Sequence, residues 1–257
     1  MITNPTEAHG RRGRRVEPTA SHRSAISSVS GRLRVPLAAP ALAGLAYVAA
    51  WIVGLAIWPS NPAVTDSGRE VVSDYGAHRT LGAAQFLLVE GVAAIALAFV
   101  IVPIARAAGR GGAARVILIT GLTACLISLA QCVLGAVLAT SLASPAHTRR
   151  AGQVFDLINR LNGVKMLVLA TVIITAALAR RELALPRWVT RVGVLAALAL
   201  VVSGAGYLAL DGALATAASV SLPLLLLWVS ANGLALGRRE AAPRRQPRHF
   251  EPPRRTP

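Results

Sequence analysis

LGAAQFLLVEGVAAIALAFVIVPIA, residues 81–105, is an unbroken run of 25 residues whose sole ionisable side chain is Glu90. At 1.5 Å of rise per residue, a helix of this length crosses a hydrocarbon core about 30 Å thick. Glu90 stands nine residues past the start of the run, roughly 13 Å deep and near the midplane. An ionisable group there costs several kcal/mol unless it is paired or wetted. The run is therefore read as a membrane span with a carboxyl that requires a partner.

Five more runs have the same character, at residues 37–58, 116–140, 163–179, 192–210 and 212–236. The fourth is the shortest and is extended outward by the amphipathic stretch 152–162. The whole chain is 54% hydrophobic yet carries a formal charge of +16, from 27 Lys and Arg against 11 Asp and Glu. One core beneath a solvated surface does not combine these properties, so they are segregated along the chain. This excludes a soluble enzyme. Nucleic acid is not expected as a partner, because the cations are divided among many short intervals. Alternating barrel strands are missing, and a backbone in lipid must satisfy its own hydrogen bonds, which leaves helices. The expected fold class is all-α: an integral membrane bundle of six transmembrane helices over residues 37–236. An Arg-rich tail, 1–36, and a Pro/Arg-rich tail, 237–257, flank it and read as disordered.

Counting cations orients the bundle. Twenty-one arginines fall in the two tails and the intervals 106–115 and 180–191, against five in the two long loops of the opposite side. The positive-inside rule places both termini in the cytoplasm, which an even number of spans also requires. The bilayer is the expected partner, with anionic lipid or a cytoplasmic protein attracted by the tails. Trp58 and Tyr207 read as an outer aromatic belt and Trp188 as an inner one. Asp211-Gly212 reads as a tight turn, and Pro223 as a kink or a loosening near the middle of the last span.

Chemistry inside the spans is expected at few positions. Besides Glu90, the only charged side chain in a span is Lys165, the sole lysine of the chain, placed by the count near the outer end of the fourth span. Gln85, Gln131 and Asn162 fall at matching depths in the outer half. Glu90, Gln131, Lys165, Gln85 and Asn162 then line one outward-opening polar site. The competing reading has Glu90 protonated or hydrogen-bonded to Gln131 as a helix fastener, with Lys165 snorkelling at the interface. Asp156 and Arg160 are four apart and read as a helical ion pair. Asp74 and His78 are spaced to face one metal ion, but a lone pair lacks a third ligand, and the loop reads as solvated. Cys125 and Cys132 lie about 10 Å apart along one helix and read as packing residues.

Enzyme chemistries find little footing. None of the five histidines lies in a span, which removes haem ligation in the bilayer. No CxxC, HExxH or phosphate-loop pattern occurs. No catalytic residue, metal site or cofactor is assigned.

The stretch 46–102, with AYVAAWIVGLAIWPSNPAV (46–64) followed by AQFLLVEGVAAIALAF (84–99), resembles small multi-pass membrane proteins of high-GC bacteria in domain-of-unknown-function families. The resemblance covers the first two spans and their loop. It implies a six-helix inner-membrane protein and carries over no active-site residue. The sequence thus points to a non-enzymatic membrane protein that binds or transports a small solute. A membrane scaffold acting through its Arg-rich tails is the alternative.

Overall fold

The computed structural model describes residues 39–59 and 61–241, with side chains to 238. The two tails fall outside this range almost entirely, and with them the readings that rested on them. Among the described residues there is no strand. Six helical segments are long and apolar enough to cross a membrane.

The first, α1, spans Ala39–Ile57. A short helix, α2, follows at Gly68–Ala77. Next come α3, Arg79–Ala107, with a π-helical turn at Leu87–Val92, and α4, Gly112–Leu142, with another at Leu138–Leu142. α5 covers Thr148–Leu178 and α6 covers Arg187–Ala209. The sixth segment is two pieces, α7 at Gly212–Ala215 and α8 at Ala218–Ala241. Its break falls at residues 216–217, ahead of Pro223, which itself lies inside α8.

Chain neighbours pack as spatial neighbours, and the last helix closes on the first. The order α1, α3, α4, α5, α6, α8 and back to α1 is a ring of six helices. Close crossings use small residues, as helix pairs in lipid do. A Cβ on Gly163 of α5 would lie 2.7 Å from the Gly204 carbonyl oxygen of α6, and one on Gly233 of α8 would lie 2.6 Å from the Pro40 carbonyl oxygen of α1. Outward positions are apolar, with Leu178 81% and Leu126 66% exposed. That surface suits acyl chains and not water.

The hydrophobic interior has two parts. The larger fills the ring, with Ile101, Ile117, Ile173 and Leu200 buried in it. The smaller lies where α2 packs against α5 and the end of α4. The charged residues of the first long loop, Glu70, His78 and Arg79, are exposed as read, but the loop also holds a helix with one buried face. Val71, Val72 and Tyr75 of α2 are buried against Trp58, Leu138 and Phe155. Trp58 meets Tyr75 edge-on at 4.9 Å and is 3% exposed, so it is a core residue and not a belt residue. Ser67 and Glu70 start α2 with a capping box, in which the Ser67 amide donates to Glu70 Oε2 at 2.7 Å. The Ser67 amide and hydroxyl hold the Glu70 carboxyl below its ordinary value. Burial pushes the Tyr75 hydroxyl up. Arg79 donates to the Ala143 carbonyl at 2.8 Å, tying the start of α3 to the α4–α5 connection. That connection is short, because α5 begins at Thr148 where the sequence suggested a loop.

The α6–α7 hairpin forms where Asp211-Gly212 placed it. Leu210 supplies the turn with φ 55°, and Asp211 caps α7 by accepting from the Leu214 amide at 3.1 Å.

Candidate functional site

Lys165 and Glu90 meet inside the ring. The ammonium donates to Glu90 Oε1 at 2.7 Å and to Oε2 at 2.6 Å, and the two residues are 5% and 6% exposed. Lys165 therefore does not snorkel. The sequence count places it near an outer end because the amphipathic stretch 152–162 reads as helix beyond the apolar span and not as part of the bundle interior. In the structure it lies past the middle of the 31 residues of α5.

Glu90 sits on the π-helical turn of α3, beside Gly91, where a Cβ would come 3.2 Å from the Cys132 sulfur of α4. A π turn widens the helix by one residue and redirects the side chains it carries, and such turns recur at functional positions. Two buried charges hold together only with close geometry and partners for their remaining polar groups, and the two-oxygen contact supplies the first.

A cavity of about 30 Å³ is lined in part by Lys165. All six spans contribute to its wall: Tyr47 from α1, Leu97 from α3, Ser128 from α4, Lys165 from α5, Leu200 from α6 and Ser221 from α8. Asn162 adds an amide one turn before Lys165. That volume holds about two waters. Ser203 of α6 lies 3.2 Å from Ser221 and 3.3 Å from the sulfur of Met166, both of which line the cavity, and donates to the Ala199 carbonyl at 2.9 Å.

Of the five residues read as one polar site, three come together. Lys165 and Asn162 line the cavity, and Glu90 is joined to it through Lys165. Gln131 and Gln85 do not line it. Gln131 donates to the Ile158 carbonyl at 3.0 Å, so it is a tie between α4 and α5 and not the partner of Glu90. Gln85 donates to the Trp58 carbonyl at 3.2 Å, closing the end of α1. Ser128, Ser221 and Tyr47 were missed, because single hydroxyls in apolar runs carry no spacing signal.

The Asp74 and His78 side chains do not converge. His78 Nδ1 donates to the main-chain oxygen of Asp74 at 3.1 Å, and its ring stacks on Trp58. Among the described residues no group of three or more His, Cys, Asp or Glu is placed to hold a metal ion. Asp156 and Arg160 form no ion pair, and both cysteines are free. No protein family, curated protein or solved structure matches this chain.

Proposed function

We propose that this multi-pass protein binds a small polar solute at the Glu90–Lys165 pair, as a non-enzymatic carrier in a bacterial cytoplasmic membrane with both termini on the cytoplasmic side. One observation carries the reading: a buried, two-oxygen ion pair whose Lys165 lines a cavity that every span helps to line. Fastening helices does not require it, since replacing a buried pair by apolar groups is often neutral or stabilising. Ionisable groups kept at such depth mark solute or ion pathways. Ordinary ligand pockets enclose about 300–1,000 Å³, so a solute larger than about two waters enters only when the ring of helices parts. The orientation draws support from the structure's charge distribution. Arg106, Arg110, Arg115, Arg180, Arg181, Arg187, Arg191 and Arg238 are all exposed at the end away from α2.

The test is thermal unfolding of the purified protein in detergent against chloride, acetate, ammonium, glycine and urea, beside Glu90→Gln. A solute at 100 times its dissociation constant adds about 2.7 kcal/mol to the folded state. A shift in the parent that is lost in the variant supports the reading. No shift with any of the five, together with an unimpaired Glu90→Leu/Lys165→Met double variant, overturns it.

A further inference from the structure

Two side chains between α2 and the ion pair hold polar atoms with no protein partner. Gln131 is 1% exposed, and its Oε1 has no hydrogen bond among the described residues. Asn159 is 8% exposed, and its Nδ2 has none either. One atom is an acceptor and the other a donor. Gln131 lies in the α4–α5 seam, where its amide donates to the carbonyl of Ile158, and Asn159 is the next residue of α5. Apolar side chains of similar size would pack there without leaving a polar atom unpaired.

The polar stripe continues toward the pair. Asn159, Asn162, Lys165 and Met166 recur at the spacing of one face of α5, and Ser128 lies one turn from Gln131 on α4. Asn162, Lys165, Met166 and Ser128 all border the central cavity. The unpaired atoms and the cavity thus stand on one stripe. Of the three N–H groups of Lys165, Glu90 accepts two, which leaves one to donate elsewhere.

We infer that bound water occupies this seam, bridging Gln131 Oε1 and Asn159 Nδ2 and running past Asn162 and Ser128 to the ammonium of Lys165. Water both donates and accepts, and a buried water is held by about three hydrogen bonds to polar groups such as these. Here it solvates the one N–H that Glu90 does not take. The inference deepens the proposed function and rests on it for its purpose, while the hydration stands on the seam's own geometry.

Lys165 is the only lysine, so ¹⁵N-lysine labelling of the full chain in lipid nanodiscs yields one side-chain ammonium signal. Magnetisation transfer from water protons to that signal is then read in the parent and in Gln131→Leu/Asn159→Leu. The expected result is clear transfer in the parent and its loss in the double variant, with the Lys165 chemical shift retained. Asn159→Leu alone serves if the double variant does not fold, and it too must weaken the transfer. No transfer in the parent, or transfer undiminished by these changes, overturns the inference. The solute screen reads the proposed function independently, so failure of either is distinguishable from failure of the other.

Discussion

Lys165 and Glu90, 75 residues apart in the chain, are joined through both carboxylate oxygens at the centre of the ring. The pair draws α3 to α5, which are not neighbours in the ring order, so it spans the interior and does not seal an adjacent seam.

Removing one partner leaves the other buried and uncompensated. Glu90→Leu and Lys165→Met are each expected to destabilise the protein by about 3–5 kcal/mol, while Glu90→Leu/Lys165→Met recovers most of the loss. Denaturant unfolding of the three variants in one detergent reads the coupling as a double-mutant cycle. Additive losses would contradict a direct interaction.

Gly163 admits no side chain without movement of α6, since its Cβ would meet the Gly204 oxygen at 2.7 Å and the Leu208 amide nitrogen at 2.9 Å. Gly163→Ala is expected to cost about 1–3 kcal/mol through overpacking. Gly112→Ala, with open space around the added carbon, is the matched control. Equal melting temperatures for the two variants would refute the close crossing.

Glu70 stabilises α2 in its charged form, because its folded value lies below the unfolded one of about 4.3. The contribution is fully present above the unfolded value and fades as pH falls through the folded value. Amide hydrogen exchange of α2 is therefore expected to accelerate below about pH 4.3 relative to the rest of the protein, after correction for intrinsic rates. Glu70→Gln should remove that pH dependence while keeping a capping partner.

Leu210 holds a left-handed conformation at φ 55°, which a branched side chain adopts at a cost. Leu210→Gly is expected to be neutral or to raise stability by about 1 kcal/mol, despite the greater freedom of glycine in the unfolded chain. A marked fall in melting temperature would mean that packing of the Leu210 side chain outweighs the strain.

Much of the site was legible in residue type and depth. Glu90 and Lys165 stood out because each is an ionisable group in an apolar run, and lipid tolerates few of them. Their pairing was not legible, since Lys165 was assigned to a shallow position. The polar residues ahead of it lower the local hydropathy, so the apolar span begins at residue 163 and leaves Lys165 at its edge. Burial of Asn159 against a neighbouring helix, not against lipid, makes that polar stretch part of the interior. The loop at 59–78 was legible only in its exposed, charged residues. Its charged residues read as solvated, while Val71, Val72 and Tyr75 form one buried face that only contact with α5 reveals.

The sequence by itself determined the class of the fold: six helices, because apolar runs of bilayer length must satisfy their own backbone hydrogen bonds wherever they end up. It also determined the α6–α7 hairpin, because Asp211 and Gly212 act within a few residues of one another. The tertiary structure alone decided which polar residues meet. Glu90 and Lys165 pair because the ring of six closes α8 on α1 and leaves α3 and α5 facing across one cavity. Gln131 turns instead to the Ile158 carbonyl. Such choices depend on which helices are neighbours and on their rotation, set by long-range packing of small residues, and no local pattern in a single apolar run records either.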